Sequence, residues 1–127
     1  YAEANPEVVA KFLRVYLRSV NMMQKEPLEN LIADYQRFFL EWAGKNYTKQ
    51  LCLTDMKTHP VFNLEQQLAL FDDSKGASTA QQWQAAIAKF FNSVGSINND
   101  ELAKVGSGTY ATGKYLKLIT GPIPGYK

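Results

Sequence analysis

Apolar residues recur at steps of three and four along most of the chain, and the densest such run is Pro27 to Trp42, PLENLIADYQRFFLEW. Its Leu28, Leu31, Ile32, Tyr35, Phe38, Phe39 and Trp42 fall on one side of an α-helix. Four of these seven are aromatic, and each ring carries on the order of 150–250 Å² that burial can remove from water. Glu29, Asn30, Asp34, Arg37 and Glu41 take the other side, a solvated face. The stripe is therefore expected to be the centre of the core, with Phe39 in its middle.

Before it, Asn5-Pro6 reads as a helix start, because Asn caps well and Pro at the first helical position loses no hydrogen bond the helix needs. Val9, Phe12, Leu13, Tyr16, Leu17 and Val20 follow at helical spacing, which predicts a helix from about 6 to 23. A connection this short predicts that the helix packs antiparallel to the one at 27–43. Gly44 supplies the stop. Thr48 is placed to cap a short helix carrying Leu51, Leu53 and Met56, which Thr58-His59-Pro60 ends. Asn63 to Gln66 reads as a variant capping box before a short helix with Leu64, Leu68 and Phe71 inward.

Ser78-Thr-Ala-Gln81 is a further capping box, and it opens a third long helix running to about 94. Trp83, Ala86, Ile87, Phe90, Phe91 and Val94 make a second aromatic stripe, expected to cover the first. Asn98 or Asn99 then caps a short turn of helix that closes at Gly106, and Thr112 is expected to cap a last helix over 113–119. Gly121-Pro-Ile-Pro-Gly125 cannot continue it. Strands are expected in under about a tenth of residues, so the fold class is all-α, a bundle-like set of helices over 1–127 that is either one domain or a fragment of something larger.

Composition narrows the picture. A chain of 127 residues suffices for one core, burying roughly two-thirds of its unfolded surface. With 14 basic and 12 acidic residues the formal charge is +2, and no nucleic-acid partner is expected: Lys114, Lys117 and Lys127 are dispersed rather than arrayed. The single Cys52 excludes an intramolecular disulfide and, sitting between Leu51 and Leu53, reads as a small buried apolar residue. No run approaches the roughly 20 apolar residues of a membrane span. The chain has neither an initiator Met nor a signal-peptide pattern, and Tyr1 opens almost directly onto a helix, so it is expected to be a piece of a longer protein.

Three stretches invite a chemical reading. Gly108 to Lys114, GTYATGK, matches the start of a phosphate-loop pattern, but Tyr115 stands where a Mg²⁺-binding hydroxyl is required and no strand leads into it. Asp72-Asp73 reads as a solvated turn rather than a metal site. His59, the only histidine, has no evident carboxylate partner and precedes a proline. No catalytic, cofactor-binding or metal-ligating residue is assigned, and an enzyme is not expected.

Taken together the segments resemble a known group. ANPEVVAKFLRVYLRSVNMM resembles a helix of the nitrate/sulfonate/taurine-type solute-binding proteins of ABC importers, and HPVFNLEQQLALFDDS, AQQWQAAIAKFFNSVGSI and YATGKYLKLI are similar to its later C-terminal helices. The resemblance implies the C-terminal helical portion of a periplasmic or extracytoplasmic protein with two α/β lobes, which hands a small anionic solute to a membrane permease. It carries no ligand-binding residue onto a numbered position here, because the cleft-lining strands lie elsewhere in that family. Apolar residues such as Met22, Ile119 and Ile123 are then expected to be exposed and to promote self-association. The alternative is a free-standing helical adaptor or regulator that binds another protein.

Overall fold

A computed structural model describes residues 1–108 and 110–124. Among them the regular structure is six α-helices and a 3₁₀ turn, with no strand: α1 (Pro6–Lys25), α2 (Leu28–Ala43), α3 (Lys49–Thr58), α4 (Leu64–Leu70), α5 (Thr79–Ser93), α6 (Asn99–Val105) and the turn Leu116–Leu118. The all-α expectation holds.

Local chemistry explains where the helices begin and end. Thr48 accepts a hydrogen bond from the Leu51 amide, and Ser78 and Asn98 each form a full capping box, with Gln81 and Glu101 returning a bond to the cap residue. Gly44 ends α2 in the left-handed conformation, φ 62°, its amide donating to the Leu40 carbonyl. The last element differs from expectation. Thr112 accepts from the Lys114 amide at 3.3 Å, which makes a local turn, and only Leu116–Leu118 closes a 3₁₀ turn before the Gly121-Pro122 break. One bond of α type, from the Lys117 amide to the Gly113 carbonyl, gives way to 3₁₀ bonds from the Leu118 and Ile119 amides, and Gly121-Pro122 stops further propagation. Thr109, Gly125 and Lys127, which figured in the sequence reading, lie outside the described residues.

The chain divides into two compact units, Tyr1–Leu13 with Leu64–Gly121, and Arg14–Asn63 with the tail from Pro122; α1 gives its first turns to the former and the remainder to the latter. In the second unit the buried side chains are Leu17, Val20, Ile32, Cys52 and Met56. Here α2 packs chiefly on α3, not antiparallel along α1 as its short connection suggested. Pro27 adopts an extended conformation with ψ 131°, which redirects the chain between α1 and α2. The five residues after α2 allow a return instead: Phe39 stacks on Tyr47 with ring centroids 4.5 Å apart, and Tyr35 donates its hydroxyl to Asp55, so α2 and α3 form an antiparallel hairpin.

The stripe on α2 is only partly inside. Ile32 is buried, and Leu28, Leu31, Tyr35 and Phe39 are half-buried, but Phe38 is 54% and Trp42 79% exposed. On α1, Leu17 and Val20 are buried while Phe12 and Tyr16 face out.

The first unit departs further from expectation. The face α5 turns inward is Gln81, Gln84, Ala85, Ala88 and Asn92, not its aromatic stripe. Ala88 is buried, letting α6 approach closely, and the three amides donate to backbone carbonyls of the segment that wraps α5: Gln81 to Ala111, Gln84 to Val105 and Asn92 to Ile97. Chain brought against a helix presents carbonyls to it, and side-chain amides answer them; the Val105 carbonyl also accepts the Gly108 amide. Gly108 (φ 70°) completes the approach: a Cβ there would stand 2.5 Å from the Gln81 carbonyl oxygen.

Candidate functional site

Polar chemistry in the second unit concentrates on Asp55, in the last turns of α3. One carboxylate oxygen accepts the Tyr35 hydroxyl, and the other lies 3.2 Å from His59 Nδ1. The Asp55 carbonyl lies 3.0 Å from the same Nδ1. Both are acceptors, and the Thr58 hydroxyl, 3.4 Å from Nδ1, directs its proton to the Thr54 and Asp55 carbonyls, so the neutral ring carries its proton on Nδ1 and turns Nε2 outward. The carboxylate partner that His59 seemed to lack is therefore its own i−4 neighbour, a spacing readable in the sequence once α3 is recognised. Loss of water around the phenol, followed by the Asp55 acceptor, pushes the Tyr35 pKa up to about 12.

The arrangement is an acceptor-oriented imidazole. The Tyr35 proton is committed to Asp55, Cys52 is fully buried, and among the described residues no hydrogen bond reaches His59 Nε2. Nor, among the described residues, is there any group of three or more His, Cys, Asp or Glu placed to hold a metal ion.

In the first unit the GTYATGK stretch owes its glycines to packing. Gly108 lies against Gln81, and a Cβ on Gly113 would stand 2.8 Å from that of Phe71. Lys114 is engaged too: its ammonium pairs with Glu3 and lies 4.9 Å from the centre of the Tyr115 ring. That hydrogen bond holds the Glu3 carboxyl below its usual range and raises Lys114. Glu3, Pro6, Lys114, Tyr115 and Leu118 line an open depression of about 260 Å³, smaller than the roughly 300–1,000 Å³ of small-molecule sites. Asp72 and Asp73 are likewise occupied. Asp72 accepts from the Ser74 amide, which lowers its pKa, and Asp73 pairs with Lys117 at 3.4 Å.

What stands out functionally is apolar. On α5, Trp83, Ile87, Phe90 and Phe91, with the C-cap residue Val94, are 43 to 61% exposed along one side of the helix. Val8, Phe12 and Val15 form an outer face on α1, and Phe38 stacks on Trp42 at the end of α2. The residues expected to be exposed, Met22, Ile119 and Ile123, are half-buried. Sequence periodicity found the α5 stripe but assigned it to the core; its exposure follows from tertiary packing of the opposite, amide-rich face. No helix among the described residues is long and apolar enough to cross a membrane. No family model, curated protein or solved structure matches the chain.

Proposed function

We propose that the chain is a non-enzymatic helical portion of an ABC importer's solute-binding protein, its role to complete the scaffold of a two-lobed protein rather than to hold solute itself. The observation that carries this reading is the sequence resemblance, whose segments fall on α1, on α4 and α5, and on the turn at Leu116–Leu118. The exposed Phe38 and Trp42 at the end of α2 support it, since apolar surface of this kind marks a face that packs against something else. The solute belongs to the small anionic or sulfonated class, and the downstream partner is a membrane permease. The protein acts outside the cytoplasm.

The test is calorimetric titration with nitrate, taurine, alkanesulfonates and pyrimidine precursors, on this chain and on one extended upstream in its gene. Binding by the extended chain alone is expected. Micromolar binding by the 127-residue chain itself would contradict the reading.

A second reading, a free-standing helical protein-interaction domain, is favoured by one observation: the outward side of α5 has an aromatic, uncharged face characteristic of interface centres. An upstream reading frame of about two hundred residues encoding α/β lobes, the size at which a chain divides into domains, would exclude it.

A further inference from the structure

We propose that the outward face of α5 is a self-complementary docking surface for a second copy of this chain, joined about a two-fold axis with the two α5 helices antiparallel. The face is apolar throughout. At 3.6 residues per turn, Trp83, Ile87, Phe90, Phe91 and Val94 lie within about 100° of arc, and Lys89, the only charged residue of the helix, projects roughly 140° away from their midline. Burying this face against its own copy therefore desolvates no charge of α5 itself.

The order of residues along the face suits a copy of itself. In an antiparallel pair whose axis passes at the level between Ala88 and Lys89, Trp83 stands at the level of Val94 and Ile87 at the level of Phe90. The pairs at the centre of the face thus set a ring at the level of a smaller aliphatic side chain. Such alternation lets facing helices interdigitate at the 8–10 Å separation of packed pairs. A parallel pair would instead set Trp83 on Trp83 and Phe90 on Phe90.

The area fits a modest dimer. Three rings at 43, 51 and 61% exposure, with Ile87 at 56% and Val94 at 57%, present roughly 500 Å² per copy. Two copies together bury up to roughly 1,000 Å², the lower edge of specific interfaces. The surface is also held ready: the Ser78–Gln81 capping box fixes one end of α5, Gly95 at φ 74° follows the other, and the amide contacts of its inner face anchor it. A small rigid interface of this size gives reversible pairing.

Sedimentation equilibrium of the 127-residue chain from about 5 to about 200 µM tests this, a range that brackets weak association. The wild type is expected to reach the mass of two chains at the upper end. Phe90→Glu and, independently, Ile87→Lys should weaken association at least about tenfold with helicity by circular dichroism unchanged, while Phe12→Glu on the outer face of α1 leaves it intact. Mixed Trp83→Cys and Val94→Cys chains should form the 83-to-94 disulfide in preference to either symmetric product. A wild type monomeric at about 200 µM, growth past two chains, dimers indifferent to both α5 charges, or preferred 83-to-83 linkage would each overturn the proposal.

Discussion

Helices α2 and α5 carry the same signal, an aromatic stripe at helical spacing, and the structure treats them differently. On α2 the stripe is the packing face: Ile32 is buried, Phe39 is half-buried against Tyr47, and only the end at Phe38 and Trp42 runs out to solvent. On α5 the stripe is outside, and Gln81, Gln84, Ala88 and Asn92 are inside. What differs is the neighbour. Facing α2 is another helix, which satisfies most of its own backbone, so the contact is chiefly apolar, with Tyr35 donating to Asp55 and Gln36 to the Tyr47 carbonyl of the connecting loop. Wrapped around α5 is a segment of turns and a short helix, whose carbonyls require donors and whose close approach requires small side chains. Apolar periodicity thus identifies a helix; it does not decide which face packs.

The comparison can be broken most readily at the buried residues of the second unit. Leu17 is 0% exposed, and Leu17→Ala is expected to cost ~3 kcal/mol in urea unfolding at low protein concentration. A loss below about 1 kcal/mol would show that this unit has no fixed core. In the first unit the corresponding weak point is backbone approach. Gly108→Ala places a side chain at φ 70° and against the Gln81 carbonyl, for an expected loss of ~2 kcal/mol. Unchanged stability would mean that the wrapping segment does not lie on α5.

Smaller effects sharpen the picture of the α2–α3 hairpin. The folded state holds the Tyr35 proton more tightly than the unfolded chain, whose phenol titrates near 10.0. The contribution is therefore complete below pH 10.0 and is lost as pH rises toward about 12. Tyr35→Phe should lower stability at neutral pH by ~1 kcal/mol and lessen the alkaline decline. Identical pH profiles for the two proteins would remove Asp55 as the partner. The smallest expectation is none at all: Lys114→Ala leaves the chain as indifferent to ATP as before, because Lys114 pairs with Glu3. Saturable ATP binding that this substitution abolishes would restore the phosphate-loop reading.

Legibility followed the range of each interaction. Thr48, Ser78 with Gln81, Asn98 with Glu101, and Gly44 act within a few residues, and all were readable from sequence. The His59–Asp55 pair is equally local, but its i−4 spacing carries meaning only once α3 is known to run to Thr58 with His59 as its cap. Tyr35 meets Asp55 across twenty positions, and Gly113 meets Phe71 across the first unit, so neither could be read without the fold. The orientation of α5 was hidden for another reason. Apolar residues are not obliged to be inside, and an amide face packs when backbone carbonyls await it.

Stability of a matched pair of variants on α5 tests that orientation most directly. Ala88→Leu inserts bulk into the face described as buried, and Phe90→Ala removes a ring that is 61% exposed. In urea unfolding at low micromolar concentration, where α5 is unpaired, Ala88→Leu is expected to lose about 1–3 kcal/mol and Phe90→Ala to stay within about 0.5 kcal/mol. The reverse order, a costly loss of Phe90 and a tolerated leucine at 88, would show that the aromatic stripe is the core face after all.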